Sequence, residues 1–144
     1  MLEFVPDVQR LTMIFSQATA PTFFLGAVAA FVSLMSSRLS AVVARIRALN
    51  GIPEADPGRA HLKSDVVRLR MRARLLSRAM TASLISGICA TVLLAIVFAA
   101  EFFGLKYAYG AGLLFVAATF FLGTGLVHFA REAHIGLSEA DEYE

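Results

Sequence analysis

At 144 residues the chain holds one domain at most. Hydrophobic residues make up 58% of it, above the ~45–50% typical of soluble domains, and the mean hydropathy is +0.69, so too little polar sequence remains to cover a water-exposed surface. The formal charge of +2 hides an asymmetry, because ten of the 13 Lys and Arg fall between Arg38 and Arg78; a basic block beside apolar runs points to a membrane surface and away from nucleic acid.

The chain opens with VPDVQRLTMIFS, residues 5–16, which places Val8, Leu11, Ile14 and Phe15 on one helical side. This pattern predicts a short helix lying in the membrane interface. A cleaved secretory leader is not expected. Glu3 and Asp7 accompany Arg10 ahead of the apolar run, and more apolar sequence follows the small residues at Ala27 to Ala30.

Three apolar runs follow, at about 20–37, 79–100 and 107–130, none containing Lys, Arg, Asp or Glu. Each approaches or exceeds the ~18–20 residues that a helix needs to cross ~30 Å of hydrocarbon. Pro21 suits the first helical position of the first run, where its missing N–H costs nothing. The second run carries Ala79, Ser83, Gly87, Thr91, Ala95 and Ala99 at every fourth position, and small faces of this kind let helices approach closely in lipid. Cys89 lies inside the same run and reads as a small apolar filler. Phe102, Phe103, Tyr107 and Tyr109 suit an aromatic belt at the outer face.

Between the first two runs, about residues 38–78, the helical pattern does not stop. Leu39, Val42, Val43, Ile46 and Leu49 recur at helical spacing until Asn50-Gly51 and Pro53, which together predict a left-handed cap and a halt. NGIPEADPG is a turn. Beyond it Leu62, Val66, Leu69, Ala73, Leu76 and Met80 step by four and three as a heptad seam. The expected fold class is therefore all-α: three membrane helices, the first two extended into an antiparallel cytoplasmic hairpin, all in one domain ending in the acidic tail SEADEYE, residues 138–144.

The hairpin's second arm carries Arg68, Arg70, Arg72, Arg74 and Arg78. Headgroup-level arginines gain about 1 kcal/mol each near an anionic leaflet, so these five are the candidate lipid or partner contacts. With Arg131 included, eleven basic residues gather on one side of the spans, against Arg10 and Lys106 on the other. The positive-inside rule then places the N-terminus outside and the hairpin and tail in the cytoplasm of a bacterial inner membrane. A second apolar row, Val67, Met71 and Leu75, stands apart from the heptad seam and is the candidate oligomer contact.

The arrangement of a span begun by Ala20-Pro21, then SRLSAVVARIRAL, then RMRARLLSRAM ahead of a second span resembles the bacterial domain-of-unknown-function 2721 family. The resemblance runs from about Ala18 to Ala133 and rests on Pro21, Arg38, Arg45, Arg47, Arg72, Arg74 and Arg78. It implies a small three-span membrane protein and no particular chemistry. Where that family usually carries an acidic residue before its second arginine, this chain has Ala44.

No catalytic set stands out. His128 and Glu132 are one turn apart at the end of the third run, with His134 beyond, and read as interfacial polar residues; zinc would want three or four converging ligands. The expectation is a non-enzymatic scaffold or accessory subunit without cofactor, in contact with lipid, self-associating and open to a larger membrane complex. The alternative is an oligomeric channel with an arginine-lined vestibule. Whether the Ser and Thr of the second span face water or a packed helix separates the two.

Overall fold

The computed structural model describes residues 8–53, 60–104 and 108–141. Three long helices fill them: α1 over Val8–Asn50, α2 over Asp65–Phe103 and α3 over Ala108–Asp141, with a short 3-10 turn at Ala60–Ser64 leading into α2. No strand occurs among the described residues. At 43, 39 and 34 residues the helices reach about 64, 58 and 51 Å. All three are long and apolar enough to cross a membrane. Large apolar side chains such as Phe23, Leu113 and Phe120 point outward along them. In lipid that orientation costs nothing, whereas in water it would leave apolar patches on every side.

α2 is the central helix and packs along both α1 and α3. Val28 of α1 meets Gly87 of α2, while Gly125 of α3 meets Ser83 and Gly136 meets Arg72. α1 and α3 touch chiefly through side chains: Phe24 and Phe115 lie 6.0 Å apart, and Phe31 and Phe129 meet edge to face at 5.2 Å.

The heptad positions of α2 do face α1. Leu69, Leu76 and Ala79 form one core with Met35 and Val42, edged by Leu39, Ile46, Leu49, Ala73 and Met80. Further along α2, tight packing comes from small residues. Ser83 and Ser86 are fully buried; Ser83 donates its hydroxyl to the Ala79 carbonyl and Ser86 donates to the Ala118 carbonyl of α3 at 2.6 Å. The Ser86 bond joins α2 to α3, whereas the Ser83 bond stays within α2. Thr91, Ala95 and Ala99 of the same four-residue series lie exposed.

Four features differ from the sequence expectation. Residues 8–16 are the first turns of α1 and form no separate helix; residues 5–7 lie outside the described ones. Pro21 therefore sits inside the helix rather than at its start. A proline there removes one helical hydrogen bond. Membrane helices tolerate such a proline; the Thr22 hydroxyl beside it donates to a different carbonyl, that of Ala18, at 2.7 Å.

α1 does end at Asn50, but not through a left-handed Gly51. Among the described residues the only positive φ belongs to Gly104, at 68°, which closes α2 by donating to the Ala100 carbonyl. At α1 the Gly51 N–H closes a last turn on Arg47 and the Ile52 N–H tightens onto Leu49, after which Pro53 cannot continue the helix. Lastly, α3 runs well past residue 130, the expected end of its span. The Asn50 end of the bundle therefore includes α3 beside α1 and α2. Residues 54–59 of the predicted turn, Lys106 and Tyr107 of the outer loop, and the tail from 142 lie outside the described residues.

Candidate functional site

The three helices converge on one carboxylate. Glu132 of α3 is completely buried, and burying an isolated carboxylate costs on the order of several kcal/mol unless its lone pairs are satisfied. Arg72 of α2 donates to Glu132 Oε1 from Nε at 3.0 Å and from Nη2 at 2.9 Å. Arg38 of α1 donates to the other oxygen, Oε2, from Nη1 at 3.2 Å. Each carboxylate oxygen thus serves one arginine from one neighbouring helix.

The surroundings hold these groups in place. The Arg38 guanidinium lies 5.3 Å from the Phe129 ring centre, within cation–π range. Gly136, one turn beyond Glu132, leaves room for Arg72: a Cβ there would come within 2.9 Å of its Nη2. Side-chain exposure grades from 0% at Glu132 through 16% at Arg72 to 40% at Arg38. Two guanidiniums face one carboxylate, and the cluster opens to its surroundings through Arg38.

The five candidate arginines separate into two groups. Arg72 turns inward and is committed to Glu132, while Arg68, Arg70, Arg74 and Arg78 are exposed. Arg70, Arg74 and Arg78 form an i, i+4 row, and among the described residues none of these three carries an ion pair. The second apolar row also splits. Val67 and Met71 are 70% and 55% exposed, but Leu75 is only 9% exposed and packs inside the protomer. At about 100° per residue Val67 and Met71 share the outward face of α2 with the free arginines. That face is at once basic and apolar.

His128 does not pair with Glu132. Its Nδ1–H donates to the Thr124 carbonyl at 2.8 Å, and His134 is exposed. No group of three His, Cys, Asp or Glu able to hold a metal occurs among the described residues. Glu132 is the site residue that sequence reasoning passed over. A usable signal was present: Glu132 and Gly136 continue the small-residue face of α3 that begins at Gly125, so the lone acid sits on the side that α2 must cover.

The chain matches no curated protein and no solved structure. One family model does match, over residues 18–141, a stretch that holds α1 from Ala18 onward, all of α2 and α3, and the Arg38–Arg72–Glu132 cluster. The chain belongs to that family, described as "Protein of unknown function (DUF2721)".

Proposed function

We propose that this protein is a membrane scaffold or accessory subunit of a bacterial inner membrane, acting by binding and not by catalysis. Its N-terminus lies outside, and the extensions of α1, α2 and α3 stand in the cytoplasm as a basic platform on the inner leaflet. The observation that carries this reading is the free arginine row of α2. Arg70, Arg74 and Arg78 are exposed without an ion pair among the described residues, and Val67 and Met71 lie exposed on the same face of α2. Such a face fits the headgroup boundary, where arginine stems lie on apolar surface and the charged ends reach phosphates.

The packing of α2 favours a scaffold over a channel. Ser83 and Ser86, the hydroxyls best placed to line a path, are buried and hydrogen-bonded to backbone carbonyls. The cluster at Glu132 suits a rigid support, since it ties three helices together just where they leave the lipid.

Self-association through Val67 and Met71 is a second reading, favoured by their exposure. Its difficulty is charge, because a symmetric pair meeting on this face would set free arginines against each other.

The test uses the protein reconstituted in vesicles with and without anionic lipid. Changing Arg70, Arg74 and Arg78 together to Lys is expected to preserve preference for the anionic vesicles, and changing them to Gln to abolish it. If the Lys variant fails as the Gln variant does, a bidentate guanidinium site replaces the surface-charge account.

A further inference from the structure

A groove runs between α1 and α2 within the membrane-spanning part, with a volume of ≈ 770 Å³. Val28, Val32, Leu84 and Ile88 wall it, Gly87 lies deep in it and Ser36 stands at its cytoplasmic end. The two helices are in contact at Gly87, where a Cβ would lie 3.4 Å from Val28 Cγ1. We propose that this groove holds an acyl chain of one anionic phospholipid whose phosphate meets Arg74 and Arg78. The proposal rests on the reading of the arginine row given above and adds a defined seat for one lipid.

Register and direction support it. Ser36 is eight residues beyond Val28 on α1, and Arg78 is nine residues before Gly87 on the antiparallel α2. Both therefore stand about 12–14 Å above the Val28–Gly87 contact at ~1.5 Å per residue. Arg74 is one turn higher. With Gly87 as zero and about 100° per residue, Leu84, Ile88 and Val92 fall near 60°, 100° and 140°. Arg74 falls near 140° and Arg78 near 180° on the same scale. Arg74 thus stands above the mouth of the groove in line with Val92, and Arg78 lies about 40° further round the same outward face, within reach of its long side chain.

The chemistry selects the occupant. The walls are apolar and lie among lipid tails, so a hydrocarbon chain fits and a soluble anion does not. A second copy of this chain would bring its own free arginines against Arg74 and Arg78, and like charges so placed repel at an interface. A phosphodiester on an acyl chain satisfies both the cations and the walls.

The full chain, purified in detergent, is tested by native mass spectrometry with phosphatidylglycerol, phosphatidylcholine or inorganic phosphate added. One phosphatidylglycerol per protomer is expected to stay bound, with phosphatidylcholine released and inorganic phosphate unable to displace the lipid. Ala29→Phe fills the groove from an exposed position on its wall and is expected to reduce retention about tenfold. Ser33→Phe should do the same from the next turn, and circular dichroism checks that both variants remain helical. The double change Arg74→Gln and Arg78→Gln should also release the lipid. Unchanged retention in both Phe variants would overturn the groove as the seat while leaving the vesicle preference of the arginine row intact. Displacement by inorganic phosphate would make the headgroup the whole ligand, and loss of a dimer in the Phe variants would make a second copy the occupant; either contradicts the proposal.

Discussion

Arg72 places Nε and Nη2 at 3.0 and 2.9 Å from a single oxygen of Glu132, sixty residues away on another helix. The contact pins α2 to α3, and Arg38 on the second oxygen brings in α1. Removing one partner from a buried pair leaves an uncompensated charge. Glu132→Gln is therefore expected to destabilise the protein by about 3–5 kcal/mol. Arg38→Gln should cost less, because the lost pair is partly exposed and Glu132 keeps both bonds from Arg72. Denaturant unfolding in detergent, followed by loss of helicity, measures both. A Glu132→Gln protein as stable as the parent would remove the cluster's structural role.

Replacing the whole cluster is a different matter. A buried ion set exchanged for apolar residues of similar volume is often neutral or stabilising. The triple variant Arg38→Met, Arg72→Met, Glu132→Met should recover most of the stability that Glu132→Gln loses. Recovery would show that the charges specify which helix faces meet, more than they supply net stability. A triple variant weaker than Glu132→Gln contradicts this.

The glycines of α3 give a paired control. A Cβ on Gly125 would come within 2.7 Å of Ser83 Oγ and 3.0 Å of the Ala79 carbonyl oxygen, whereas Gly123 has nothing within 4 Å. The Ala79 carbonyl is helix backbone and cannot step aside. Gly125→Ala is expected to cost roughly 1–3 kcal/mol through overpacking, while Gly123→Ala should be neutral or stabilise by up to about 1 kcal/mol through helix propensity. Equal effects in the same unfolding assay would mean that α2 and α3 are not held at this distance.

Self-association has its own reporter. If Val67 and Met71 join two copies, Met71→Glu should convert an oligomer to a monomer in native mass spectrometry. If they rest on lipid, the mass is unchanged and Met71→Glu weakens vesicle association instead. The position of Met71 among free arginines predicts the second outcome.

Much of this arrangement was legible in the sequence. The spans follow from hydropathy, and the heptad seam from Val66 to Met80 identifies the surface of α2 that meets α1, because both patterns are local. What escaped depends on a third helix. The apolar run of α3 ends at residue 130, yet the helix continues to Asp141, since nothing in REAHIGLSE breaks it. Only that continuation carries Glu132 into the bundle and draws Arg72 away from its neighbours in sequence. Five arginines spaced along one stretch look alike until the partner of one of them is known. Pro21 and Gly51 misled for a related reason: propensity allowed a start and a left-handed stop, and packing together with local hydrogen bonds decided otherwise.

The orientation of the basic platform is the claim on which the functional reading depends, and one labelling experiment addresses it. A cysteine replaces Asp56 in the variant Asp56→Cys, with Cys89→Ala removing the native thiol. Intact spheroplasts are then exposed to a membrane-impermeant thiol reagent, before and after permeabilisation. Protection before permeabilisation and labelling after it are expected if the connection between α1 and α2 lies in the cytoplasm. Labelling in the intact spheroplasts would put the arginine row on the outer face and contradict the platform.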